Sequence, residues 1–186
     1  MAEIRPKRIE MNSGRIVTIR SAISLDAPSI IDFMKTVLIG ADWSVTQSHE
    51  VDTRVEKEAE WIENHRSSPG KLILMAESDR EMIAMLHFAN GIRERNCHVG
   101  TLGMSVLKDW RRQGLGQALI HALLEWAREN PLIEKVSLVV FSTNDPAIRL
   151  YRRMGFIEEG RQKMEYRLPE NRYVDGILMY QFTGEK

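Results

Sequence analysis

The sequence predicts a mixed α/β domain in which about four helices flank a central, mostly antiparallel sheet of about seven strands. Three observations carry that reading. Strand and helix patterns interleave in the order β-α-α-β-β-β-α-β-α-β-β. Neighbouring strand patterns at 71–107 and 156–182 are joined by short turns, as hairpins are. No repeat, low-complexity tract or linker interrupts the 186 residues, so they read as one domain, with residues 1–14 as an N-terminal extension.

The elements follow in order. Ile16, Thr18 and Arg20 alternate with Val17, Ile19 and Ser21, which is the period of a strand. A helix follows, with Asp26 as its expected cap, Pro28 in its first turn, and an apolar stripe of Ile30, Ile31, Met34, Val37 and Leu38. Residues 40–52 are polar with a single Trp and read as a loop. The charged stretch 53–66 carries Val55, Ala59, Trp61 and Ile62 as the apolar residues of a second helix, and Ser67-Ser68-Pro69-Gly70 ends it. Strands are expected at 71–78, 81–91 and 96–107, the first two joined at Asp79-Arg80.

A third helix is expected over 115–129, closed by Asn130-Pro131. Its Leu115, Ala118, Leu119, Ala122 and Trp126 form one apolar face. A strand at 135–143 leads to a short helix with Asn144 or Asp145 as cap, Pro146 near its start and Gly155 just past its end. Two final strands, 156–168 and 172–182, pair across Pro169-Glu170-Asn171.

Composition narrows the function classes. With 43% hydrophobic and 28% charged residues the chain has the profile of a soluble globular protein. Lys plus Arg and Asp plus Glu both number 26, so no overall field draws it to nucleic acid. The single cysteine, Cys97, excludes an internal disulfide and a cysteine metal cluster. The absence of a signal peptide core or of ~20 consecutive apolar residues argues for a cytoplasmic protein not bound to membrane. A homodimer is compatible with these features.

The most informative stretch is Trp110 to Asn130, where Arg111-Arg112-Gln113-Gly114-Leu115-Gly116-Gln117 runs into the longest amphipathic segment. A helix N-terminus leaves amide N–H groups without partners and carries about half a positive charge. Two glycines clear side chains from that end, and two arginines add charge, so residues 111–117 suit a phosphate. The alternative is a helix that starts after a glycine turn, with solvated arginines. The Walker pattern is missing, and the dinucleotide pattern fails because position 119 is Leu.

The spacing Arg-x-x-Gly-x-Gly after a strand resembles the pyrophosphate loop of the GNAT superfamily of N-acetyltransferases. A second motif supports the likeness: Asn144, Ala147, Leu150, Tyr151, Gly155 and Phe156 resemble that family's later helix. The resemblance spans 15–182. The strands carrying Glu159-Gly160-Arg161 and Tyr173-x-Asp175 look like the branch that acetylates small amines and protein N-termini.

The resemblance implies acetyl-CoA as cosubstrate, no metal, and direct transfer to a primary amine. It implies that Met104, Ser105 and Val106 hold the pantetheine arm and that Arg111, Arg112, Gln113, Gly114, Leu115, Gly116 and Gln117 hold the pyrophosphate. Asn144 either bonds the cofactor arm or only caps its helix. Tyr151 stands where the family places the general acid to the thiolate, although Ala147, Leu150, Tyr151 and Met154 also form a core stripe. The expected row for a base is 98, 100, 102 and 104, which holds no carboxylate; His98 is the basic residue on it. A water relay and an already neutral amine are the alternatives. His87 reads as a packing residue. Glu50 and Asp52 either attract a cationic acceptor or are solvated loop acids.

The leading expectation is an N-acetyltransferase acting on a small-molecule amine. A protein N-terminus as acceptor, a non-catalytic acyl-CoA-binding module and a nucleotide-binding protein of another fold are the competing expectations.

Overall fold

Two residues are enough to reverse β3 (Lys71–Ser78) onto β4 (Glu81–Asn90). Asp79 (φ 51°) and Arg80 (φ 69°) both take the left-handed backbone that matches the twist of a two-residue hairpin. The computed structural model, which describes residues 3–41 and 43–184, builds one eight-stranded sheet around this hairpin. The remaining strands are β1 (Lys7–Glu10), β2 (Ile16–Ser21), β5 (Val99–Val106), β6 (Lys135–Phe141), β7 (Ile157–Leu168) and β8 (Arg172–Phe182). Their order is β1-β2-β3-β4-β5-β6-β8-β7, and every neighbouring pair is antiparallel except β5 with β6.

Helices cover both faces. Along β3, Leu72, Leu74 and Ala76 pack in the cluster that holds α3 (Leu115–Glu129) and α4 (Asp145–Arg153). Ile73 and Met75 point the other way, into the cluster of α1 (Ala27–Val37) and α2 (Val55–Arg66). This period-2 division explains why β3 is buried on both sides and shows no polar alternation. The mixed, mostly antiparallel sheet with four helices agrees with the architecture read from the chain.

Two local features differ from that reading. The stretch before residue 15 supplies a strand: β1 pairs with β2 in the register Lys7↔Ile19 to Glu10↔Ile16. Lys7 then reaches Glu125 on α3, and Ile9 packs on the core. Asp26 does not cap α1 with its side chain. A short turn, Ser24–Asp26, precedes the helix, and the Asp26 carboxylate accepts from the Ile23 amide at 2.8 Å at the start of that turn. The same carboxylate accepts from both terminal nitrogens of Arg20, at 2.7 and 2.8 Å, while Arg20 also donates to Glu77 on β3 at 3.2 Å. The acid therefore ties α1 to the sheet.

Candidate active site

β5 and β6 pair only at their beginnings, in the register Val99↔Lys135, Gly100↔Val136 and Thr101↔Ser137. Beyond Thr101, β5 continues to pair with β4 as far as Val106, while β6 continues with β8. The two strands diverge, leaving a wedge in the sheet. Backbone groups of an edge strand that point away from its one neighbour have no strand to bond. Met104, Ser105 and Val106 line this opening, within a cleft of about 630 Å³.

The loop from β5 to α3 closes one end of the cleft. Arg112 (φ 63°) and Gly114 (φ 93°) both adopt left-handed backbone, which turns successive amides toward the same side. The first amide of this region with a protein acceptor is that of Ala118, which bonds the Gly114 carbonyl at 3.0 Å. Among the described residues, none of the six amides from Arg112 to Gln117 has an acceptor. Arg111 Nε donates to the Val106 carbonyl at 2.9 Å. The guanidinium of neither Arg111 nor Arg112 pairs with a described acid. Free N–H groups, a helix N-terminus and two cations converge at one point.

The glycines serve different ends. Gly114 supplies a dihedral that L side chains adopt only with strain. A Cβ at Gly116 would lie 3.0 Å from Leu150 Cδ2 and 3.3 Å from Met104 Cε, so its absence lets α3 approach α4 and β5 closely. Gln113 turns away: its amide donates to the Asp109 carbonyl at 2.7 Å and its oxygen accepts from Ser13 at 2.8 Å. The Leu115 side chain is buried in the core, leaving only its backbone facing the cleft end.

Across the wedge, α4 contributes Pro146, Ala147, Leu150 and Arg153 to the cleft. Asn144 also lines it, and its side-chain oxygen accepts from the Ala147 amide at 3.3 Å, so it does cap the helix. Tyr151 is 7% exposed and packs edge-on against Phe156, with ring centroids 5.8 Å apart. Burial pushes its phenol up to about 12, so it keeps its proton at neutral pH. The cleft wall itself is formed by its helical neighbours Ala147 and Leu150.

Besides Gln113, Leu115 and Tyr151, whose side chains do not line the cleft, His98, Glu50 and Asp52 also lie outside it. Within the row 98–104, Leu102 is buried on the α3 side and a Cβ at Gly100 would run into the Phe88 ring, while Met104 alone of the row lines the cleft. His98 sits at the closed end of the β5–β6 pair, where its carbonyl accepts from the Glu134 and Lys135 amides at 2.9 and 3.1 Å. It precedes Met104 by six positions, roughly 20 Å of strand. The Glu50 carboxylate accepts from the Gln47 amide at 2.8 Å. Asp52 is held by Arg54, with Lys57 3.9 Å away, and hydrogen bonds from Arg54 keep its carboxyl far below the usual range. Conversely, Asn12, Trp43, Ser44, Lys108 and Trp110 line the cleft without having been singled out. A lone Trp in an otherwise polar loop, at position 43, was the one available signal.

Unsatisfied amides at a helix tip beside a half-open strand suit a ligand with an anionic diphosphate and an extended amide-bearing arm. Comparison with known proteins defines the class. The acetyltransferase (GNAT) family matches residues 38–156. The L-amino acid N-acetyltransferase AaaT of Escherichia coli is 32% identical over 119 residues, which cover 64% of this chain and 73% of that one. A GNAT acetyltransferase structure from Streptococcus pneumoniae superposes with a TM-score of 0.87 at 25% identity, covering 89% of this chain and 99% of its own. The YncA protein of Salmonella typhimurium, solved with its cofactor acetyl-CoA, shares the fold with a TM-score of 0.78 at 20% identity, covering 91% and 95% of the two chains.

The chain belongs to the GNAT acetyltransferase family. It is an acetyl-CoA-dependent N-acetyltransferase, and among its described residues no helix is long and apolar enough to cross a membrane.

Proposed function

We propose that the acetyl group of acetyl-CoA is transferred directly to a primary amine of a small molecule. The observation that carries this acceptor class is the 32% identity with an L-amino acid N-acetyltransferase over 73% of that protein's length. A chain with equal numbers of acidic and basic residues also offers no cationic field for a ribosomal RNA setting.

In this reading the amides of Arg112 to Gln117, with Arg111 and Arg112, hold the diphosphate. Met104, Ser105 and Val106 line the opening, and the backbone groups they turn away from β4, other than the Val106 carbonyl held by Arg111, pair with the pantetheine arm as an added strand does. When bound, acetyl-CoA supplies an acetyl group activated as a thioester. The Val106 amide N–H, which points away from β4 while the Leu107 amide bonds the Ile83 carbonyl at 3.0 Å, stands where negative charge gathers on the thioester oxygen. Tyr151 donates its phenolic proton to the departing sulfur, a role suited to a group that stays protonated until about pH 12. The cap provided by Asn144 fixes the start of α4, whose Ala147 and Leu150 wall the cleft beside the buried Tyr151.

A panel of L-amino acids, polyamines and N-terminal peptides, each followed by release of free thiol, tests the acceptor class. Turnover of amino acids or small amines is the expected result. Turnover confined to peptides would replace this reading with a protein N-terminal acetyltransferase.

A further inference from the structure

His87 lies on β4 directly across from Gly103 on β5, and its ring occupies the space a side chain at 103 would take. A Cβ built on Gly103 would fall 2.3 Å from the ring Cε1 and 2.8 Å from Nε2. Thr101, Gly103 and Ser105 alternate with the core-facing row and share the opposite face of β5. The imidazole therefore stands over the strand that opens the wedge, between Thr101, where β5 leaves β6, and Ser105 in the cleft wall.

A histidine that merely packs pairs at least one ring nitrogen. His65 does so: its Nδ1 bonds the Trp61 carbonyl at 2.9 Å. Neither ring nitrogen of His87 has a hydrogen-bond partner among the described residues, yet neither is sealed from solvent. The only sealed and unpartnered side-chain polar atom among the described residues is Gln181 Oε1. Trp61 on α2 holds the His87 ring edge-on, with centroids 6.1 Å apart, and so orients it without using its nitrogens.

We infer that His87 is the base that takes the proton from the acceptor nitrogen. This rests on the acetyl transfer described above and not on which amine accepts. The neutral amine bonds to the acetyl carbon, and its nitrogen becomes acidic as that bond forms. The imidazole takes one proton from that nitrogen. The carbon–sulfur bond breaks with its electron pair on sulfur, which leaves protonated by Tyr151. His87 then returns its proton to solvent, and Tyr151 regains one, giving an amide and a thiol. A position across from a glycine gives the imidazole an unobstructed approach over the β5 backbone.

Burial first, and then the charge of His65, lowers the His87 pKa from 6.5, so the ring is neutral and ready to accept at pH 7. His65 faces it from α2, where Trp61 also stands; Lys71 lies on the same side of β3; β5 offers only Thr101, Gly103 and Ser105 there. A base with a lowered pKa is lost as pH falls through that pKa. Log kcat/KM should thus show a limb below pH 6.5 in addition to the slope set by the amine itself.

The test is the pH profile of kcat/KM, run with whichever acceptor in the panel turns over. Wild type is expected to show the acid limb. His87→Gln is expected to lose it and to lose about 100-fold in kcat, with the melting shift given by acetyl-CoA unchanged. Gly103→Ala, whose methyl displaces the ring while keeping His87, is expected to fall in the same direction. A wild-type profile without the limb overturns the proposal whether or not the variants fold. So does a His87→Gln protein that keeps both rate and limb. Acetylation of peptides alone contradicts the small-amine reading but still tests His87 by the same profile.

Discussion

Arg111 and Val106 are joined by a 2.9 Å hydrogen bond from the guanidinium Nε to the backbone carbonyl. It ties the loop that ends in free amides to the last residue of the splayed strand. The two halves of the cleft are thereby held at one spacing. Arg111→Ala removes both this tie and a positive charge at the helix tip. Because hydrogen bonds involving charged groups contribute about 1.5–3 kcal/mol, KM for acetyl-CoA should rise roughly 10-fold or more. The kcat at saturating donor should change less. Steady-state kinetics with varied acetyl-CoA checks the split.

Gly114 and Gly116 should fail differently. Gly114→Ala places a Cβ on a backbone at φ 93° while meeting only Met11 Cε at 3.7 Å. The cost is conformational, about 1–2 kcal/mol, and lowers Tm by roughly 2–8 °C. Gly116→Ala instead presses on Leu150 and Met104 at 3.0 and 3.3 Å. Its larger loss should be in acetyl-CoA affinity, because both neighbours line the cleft. Paired thermal melts with and without acetyl-CoA separate the two effects.

Tyr151→Phe keeps the ring that packs on Phe156 and removes only the hydroxyl. The rate should drop by about 100-fold with acetyl-CoA affinity retained, since a proton donated to the leaving sulfur acts in the transition state. With its phenol at about 12, wild-type activity should show no loss from Tyr151 ionisation up to pH 9. Calorimetric binding together with kcat measures both. Equal kcat for the two proteins contradicts the assignment.

Asp26 links stability to pH. Burial alone raises its carboxyl pKa, but the Arg20 and Ile23 hydrogen bonds outweigh it, and the net shift is downward from 3.8. A folded pKa below the unfolded one contributes stability that is present above 3.8 and is lost as pH falls through the lower folded value. Asp26→Ala leaves Arg20 with Glu77 alone and should cost about 3 kcal/mol at pH 7, roughly 6–12 °C in Tm. Below pH 3 the gap between wild type and variant should narrow. Denaturant melts across pH check this.

Much of this architecture was legible because punctuation in the chain is strong. Gly114 before and Asn130-Pro131 after bound α3 at Leu115–Glu129, and Asp79-Arg80 sets the hairpin. β1 was not legible: Lys7-Arg8-Ile9-Glu10 has one apolar residue and no period to read. The row taken for the base divides in the structure: Met104 lines the cleft, while His98 lies at the closed end of the β5–β6 pair. Reading 98, 100, 102 and 104 as the reacting face put His98 forward, whereas Leu102 and Gly100 turn toward the α3 core. His87 sits between apolar Leu86 and Phe88, so its surroundings in sequence suggest packing; only the register with Gly103 reveals the space above it. Trp43 and Asn12 reach the cleft through tertiary folding of loops, which local sequence does not encode.

The most direct measurement is a crystal structure with acetyl-CoA bound. The diphosphate is expected within hydrogen-bond distance of the amides between Arg112 and Gln117, with the arm extended along Met104 to Val106 and the thioester on the side of β5 that His87 overlooks. A diphosphate bound away from Gly114 and Gly116, or an arm that leaves the β5 edge unpaired, would contradict the account.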